Sequence, residues 1–207
     1  MTTTAPARRR DAAHNRDALL QAARTELARD PHASIDTIAR TAGLTRRAVY
    51  GHFADRDALV LAAVALGAER FNLIAAQATA PDPAVALATL AVRLWGEAAQ
   101  VRLAAAVALD DAHLPYTARA LSPLRSRLRD LVDDGLRAGV FRKDLSPALL
   151  TDLIERAART VLRELHDTRV DDEPGFVARI VLSIAGLSWR DADALLAAHP
   201  EIFEEAS

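Results

Sequence analysis

Between residues 45 and 52 the sequence TRRAVYGH sets two adjacent guanidinium groups, a phenol and an imidazole within two helical turns. A guanidinium fork matches the O6 and N7 acceptors of guanine in a major groove, so Arg46 and Arg47 are the leading base-reading residues. Adjacent helical residues diverge by about 100°, which leaves one of the two free to hold a phosphate instead. Tyr50 and His52 extend the same donor-bearing side, while Ala48 and Val49 face inward. The alternative for the arginines is a solvated pair, and Tyr50, read alone, is equally a packing residue with a wet hydroxyl. Arg56 and the free amides around it, at the start of the next helix, lie where a phosphate could be met.

These side chains need a short helix held against a support, and the preceding residues supply one. Ser34 caps a helix whose apolar positions Ile35, Ile38, Ala39 and Ala42 recur at helical spacing. Gly43 stops it, Leu44 plugs the turn, and Thr45 caps the second helix. The hydroxyls of Ser34 and Thr45 can additionally meet phosphates. Two short helices around a glycine turn, here residues 34–53, form a helix-turn-helix able to enter a major groove. Upstream, Asp11–Arg29 reads as a bracing helix with Ala12, Leu19, Leu20, Ala23 and Leu27 on one side, ended by Asp30-Pro31. A three-helix head over residues 11–56 results. Residues 1–10 lack periodicity and read as a mobile basic arm, whose Arg8, Arg9 and Arg10 either reach a minor groove or form a solubilising end.

The run GLTRRAVYGHF followed by ADRDAL, with the Ile38-Ala39 pair before it, resembles the DNA-binding signature of the TetR family of transcriptional regulators over roughly residues 15 to 62. The resemblance implies double-stranded operator DNA as partner, with Tyr50 and His52 on backbone phosphates. Gly51 departs from it, standing where a bulkier residue is often found; it weakens the short helix and removes one contact. The resemblance further implies a helical second domain over residues 57–207 that binds a small-molecule effector and forms a homodimer on a palindromic operator, released when the effector binds. Trp95, His113 and Tyr116 are the candidates for lining an effector pocket, though a buried tryptophan is commonly core and a loop histidine commonly solvated.

Composition bounds the alternatives. The 207 residues are 51% hydrophobic, ample for a sizeable core, and carry no cysteine, which excludes disulfides, thiolate metal sites and cysteine nucleophiles. Asp110, Asp111 and His113 sit in one loop without a partner cluster, and no glycine-rich phosphate loop, HExxH or GxSxG occurs, so neither enzyme, metal nor cofactor is expected. Met1–Arg10 is polar and basic, unlike a signal peptide, and the apolar runs Leu59–Ala68 and Leu103–Leu109 are too short to span a bilayer, so a cytoplasmic protein is expected. The net charge of −2 hides an asymmetry: residues 1–56 hold ten arginines against six acids, and the remainder 16 basic residues against 22 acids. A basic end on an acidic body fits a polyanion partner or a solvated charged surface.

The rest of the chain reads as all-α. Asp55 caps a helix running to about Thr79 that links head and body, and Pro81-Asp82-Pro83 breaks the chain after it. Ala84–Gln100, apolar nearly all round, is the central helix; Val101–Leu109 continues helical, and Asp110–Tyr116 reads as a loop. Ser122-Pro123 reads as a cap with first-turn proline, opening a helix closed by Gly139, and Ser146-Pro147 repeats the signal. The helix from Pro147 carries a stripe of Leu149, Leu150, Leu153, Ile154, Ala157, Ala158, Val161, Leu162 and Leu165, wide enough for two partners or for ordinary core. After a polar break at Asp171–Glu173, Pro174 opens a helix with Phe176, Val177, Ile180, Val181 and Ile184 on one face. The resemblance assigns these two helices to a four-helix bundle between subunits. Ser188 and Asp191 start a last helix, ending near His199-Pro200.

Overall fold

The structure is a computed structural model that describes residues 5–100, 113–164 and 175–204, and the side chains of 10–98, 113–161 and 175–204. Ten α-helices and a closing 3-10 turn occur among the described residues, and no strand. They are α1 (Ala5–Leu27), α2 (Ile35–Thr41), α3 (Arg46–Tyr50), α4 (Arg56–Gln77), α5 (Pro83–Gln100), α6 (Leu114–Ala120), α7 (Ser122–Ala138), α8 (Pro147–Glu164), α9 (Gly175–Ala185) and α10 (Trp189–Ala198). The expected helix over 101–109, Asp110 and Asp111, the break at 171–173, Pro174, Leu165 and the side chains of Arg8 and Arg9 lie outside the described residues.

Two compact units divide the chain, Met1–Glu69 with Val101–Ala120 and Arg70–Gln100 with Leu121–Ser207. The boundary falls inside the continuous α4 and not at Arg56, because the first half of α4 completes the head core with Leu59, Val60 and Ala63. These join Leu19, Leu20, Ala23 and Leu27 of α1, Ile35, Ile38 and Ala39 of α2, and Val49 and Phe53. Ala12 is exposed, so the inward face of α1 begins at Leu19. The first helix starts at Ala5, not at Asp11. Alanine and arginine favour helix, and Pro6 falls in the first turn, where a missing N–H costs no hydrogen bond.

In the second unit α5 is the centre. Ala86, Leu87, Ala88 and Leu90 are buried among Leu128, Leu131 and Val132 of α7, Leu150 and Ile154 of α8, and Val181, Leu182 and Ala185 of α9, with Ile202 of the closing turn beneath. Ser122 is the first helical residue of α7 and not its cap; Leu121 holds the cap position without a side-chain bond. The amide of Leu124 in that first turn donates instead to Asn72 Oδ1 of α4 at 3.1 Å, a cap supplied from 52 residues away. Ser146 does cap α8, accepting from the Leu149 amide at 3.3 Å. The loop expected over Asp110–Tyr116 is replaced from Leu114 by α6, its first turn closed by His113 O accepting from the amides of Tyr116 and Thr117 at 3.0 Å. Pro115 in that turn is a helix start, which a lone X-Pro pair does not distinguish from a loop.

By length and composition α4 could cross a bilayer, with an 18-residue window of mean hydropathy 1.7. Counting uninterrupted apolar runs missed this, since Glu69, Arg70 and Asn72 break the run without lowering the average much. Leu59, Val60 and Ala63 of α4 are buried in one core and Ala75 in the other, and 33% of that window is buried.

The α7–α8 connection is pinned to the end of α9. The Arg142 amide donates to Ala185 O at 2.8 Å, and Gly186, at φ +113, lies so close that a Cβ there would come within 2.8 Å of Arg142 Cβ. Arg142 Nε and Nη2 donate to the two carboxylate oxygens of Asp144 at 2.7 and 2.6 Å. Those bonds hold the Asp144 carboxyl down at about 2, below its ordinary 3.8. A depressed carboxylate contributes stability that is present above the ordinary value and lost as pH falls toward 2. Asp144→Asn is therefore expected to lower the urea midpoint slightly at pH 5 and progressively less as the pH falls through about 2, the effect at pH 5 shrinking in high salt because the pair is exposed.

Candidate nucleic-acid interface

Short-range chemistry builds the α2–α3 unit. Ser34, in extended conformation, accepts from the Thr37 amide at 3.2 Å, and its hydroxyl lies 3.1 Å from that of Thr37. At the other end of α2 the Leu44 amide donates to Ala39 O at 2.9 Å and the Gly43 amide to Arg40 O at 3.0 Å, with Gly43 at φ +67. That pair of bonds is the Schellman closure, and the left-handed residue it needs is the glycine. Thr45 then accepts from the Ala48 amide at 3.2 Å and starts α3. Val49 is fully buried, which fixes the rotation of this five-residue helix. Thr45, Arg46, Arg47 and Tyr50 are left exposed, and His52 is half-buried with its ring tilted 53° against Phe53.

The two arginines have different surroundings. Arg46 Nη1 donates to Asp36 Oδ2 of α2 at 2.9 Å, and Nη2 to Tyr50 Oη at 3.3 Å, with the guanidinium carbon 5.6 Å from the Tyr50 ring centroid. Hydrogen bonding to Tyr50 and the charge of Asp36 push the Arg46 pKa above its ordinary value. Arg47 has no such partner among the described residues. Asp36 went unnoticed in the sequence, although an acid in the first turn of α2, ten residues before an exposed arginine, was the available signal.

Arg56 does not stand ready for a phosphate. Its Nε donates to Ala33 O at 3.0 Å and its Nη2 to Pro31 O at 2.8 Å, so the guanidinium ties the α1–α2 connection to the start of α4. Those carbonyls turn toward Arg56 because no helix absorbs them. Asp55 caps α4 as expected, accepting from the Ala58 amide at 2.7 Å. Arg10 is exposed on α1.

Of the residues expected along a pocket, Trp95 is buried on α5, His113 caps α6 and Tyr116 is exposed on it. Trp95 and the other two belong to different units. The expected subunit face is corrected at four positions: Leu150, Ile154, Val177 and Val181 are at most 4% exposed within the chain's own core and cannot face a partner. Phe176, Ile180, Ile184 and Val161 remain half-buried, and Leu149 and Leu153, at 46% and 38% exposure, form the outward row of α8. The stripe on α8 spans both rows, and period alone does not say which one α5 covers.

Residues 19–63 match the sequence model described as "Bacterial regulatory proteins, tetR family". No curated protein matches the chain. Among solved structures, RolR in complex with resorcinol is 22% identical, covering 96% of this chain and 99% of its own, with a TM-score of 0.71. A fatty acid degradation regulator, FadR from Bacillus halodurans, is 18% identical over 83% of this chain and 94% of its own, with a TM-score of 0.69. FadR from Bacillus subtilis, solved with stearoyl-CoA, is 13% identical over 82% and 97%, with a TM-score of 0.68. At these identities the likeness speaks for the fold, and the matched head speaks for the family. Residues 19–63 thus match the TetR family of bacterial regulatory proteins, and the chain as a whole is similar in fold to those regulators.

Proposed function

We propose that the protein is a sequence-specific, ligand-responsive transcriptional repressor that binds a palindromic operator as a homodimer and leaves it when a small molecule occupies the second unit. The observation that carries the reading is the exposed row of Thr45, Arg46, Arg47 and Tyr50 on a helix locked in rotation by Val49. Ser34, Thr45, Tyr50 and His52 serve phosphates, at least one of the two arginines of α3 serves base edges, and Arg8, Arg9 and Arg10 serve an adjacent groove. Arg56 contributes by holding the head together. A DNA-binding role places the protein in the cytoplasm, and nothing in the reading requires catalysis.

Release by ligand is supported by α4, one helix that carries residues of both units. Linkage requires that DNA weaken the ligand by the same factor. Resorcinol and stearoyl-CoA, bound by RolR and by FadR, show that this fold accommodates ligands of very different size, and they name no effector here. Selection of bound duplexes from a random pool tests the core of the proposal: a two-fold symmetric consensus is expected, and recovery of unselected sequences would refute it.

The dimer rests on the apolar outward residues of α8 and α9, Leu149 and Leu153 with Phe176, Ile180 and Ile184. Ile180→Asp is expected to convert the dimer to a monomer in light scattering at micromolar concentration. A monomeric wild type, or a variant of unchanged dimeric mass, would remove this interface.

A further inference from the structure

We propose that Asp36 is a positioning residue which, with Tyr50, holds Arg46 off the DNA backbone and leaves Arg47 as the residue that reads sequence; this refinement rests on the DNA-binding function proposed above. The contacts of Arg46 are made to both helices of the motif, a carboxylate on α2 at 2.9 Å and a phenol one turn further along α3 at 3.3 Å. Arg47 is its neighbour in sequence but lies about 100° away around α3, exposed and without a partner among the described residues. A guanidinium already facing a carboxylate brings no uncompensated charge to a phosphate and displaces no counterion there, so it adds affinity for neither operator nor random DNA.

The carboxylate has its own effect. An exposed acid on the groove-facing side of a helix-turn-helix repels phosphates unless a cation faces it, and Arg46 is that cation. The Arg46–Asp36 pair is therefore close to neutral toward the backbone, and binding to random DNA is held down while Arg47 remains free to discriminate. Arg46 also donates to the Tyr50 oxygen, which occupies an acceptor position and leaves the phenolic hydrogen to point outward to a phosphate.

The test uses the full chain, a duplex selected from a random pool, a scrambled duplex of equal length, and a salt series from 50 to 200 mM. Asp36→Asn is expected to free Arg46 for one more phosphate: the slope of log affinity against log salt steepens by about 0.9, and binding to the scrambled duplex rises roughly eightfold at 0.1 M salt. Affinity for the selected duplex rises in the same proportion, so the ratio of the two is unchanged. Adding Arg46→Ala to that variant is expected to restore the original slope, a readout that a merely structural role would not move. Arg46→Ala alone weakens both duplexes in parallel, through the uncovered carboxylate, and Arg46→Lys recovers them. Should Asp36→Asn fold poorly, Asp36→Ser keeps a first-turn oxygen and gives the same reading. An unchanged slope on removing the Asp36 charge, or a loss of preference in Arg46→Ala as large as that in Arg47→Ala, would overturn the proposal. A wild-type protein that prefers no duplex at all would overturn the DNA-reading function itself, a separate and distinguishable result.

Discussion

Arg47→Ala is expected to cut the preference for a selected duplex over random DNA by about 5- to 150-fold, the equivalent of roughly 1–3 kcal/mol for one bidentate guanine contact. The side chain is exposed, with no hydrogen-bond or ion-pair partner among the described residues, so the unfolding midpoint should move little. Tyr50→Phe makes the contrast. The ring keeps its place beside Arg46, only the hydroxyl is lost, and both duplexes are expected to weaken in similar proportion because a phosphate contact carries no sequence information. Anisotropy titrations of both variants on both duplexes separate the two behaviours: one changes the ratio, the other the level.

Gly135→Ala is expected to destabilise the second unit by about 2–4 kcal/mol, although helix propensity alone would favour alanine by about 1 kcal/mol. A Cβ on Gly135 would fall against Phe141 Cδ2 and Cε2 and 2.6 Å from Cγ, inside the van der Waals volume of the ring. Phe141 is only 2% exposed, so the ring has no solvent-side route of escape that keeps its burial. Either the core is overpacked, at about 1–3 kcal/mol, or the ring leaves it, at about 3–5 kcal/mol. The sign should reverse in a Phe141→Ala background, where the same substitution meets a void and the propensity term is left to act. Urea unfolding of the four proteins in this cycle measures the coupling directly.

Features decided within a few residues were legible in the sequence. The caps at Ser34, Thr45, Asp55, Ser146 and Ser188 and the glycine closure at Gly43 follow from local hydrogen bonding, and the structure has all of them. Features that need two elements placed against each other were not. Arg56 looked free because nothing in the sequence says that Pro31 and Ala33 present carbonyls to it. Arg46 and Arg47 looked equivalent because Asp36 reaches only one of them across the turn. The same limit applies to α7, whose sequence offered Ser122 as a cap while the fold brings Asn72. On α8 two adjacent rows are both rich in leucine, and only packing against α5 and α9 determined that Leu150 and Ile154 go inward and Leu149 and Leu153 outward. Gly135 offered no sequence signal, since a glycine inside a helix reads as a small propensity loss until the ring of Phe141 is placed over it.

The central claim is that the exposed side of α3 reads DNA sequence, and the most direct measurement is the affinity of the wild-type protein for a selected and a scrambled duplex across 50 to 200 mM salt. Phosphate contacts are common to both duplexes and base contacts belong to one. The account predicts that both affinities fall steeply and nearly in parallel with salt while the selected duplex stays favoured throughout, and that Arg47→Ala brings the two curves together. Equal affinities for the two duplexes in the wild type, or an undiminished gap in Arg47→Ala, would contradict it.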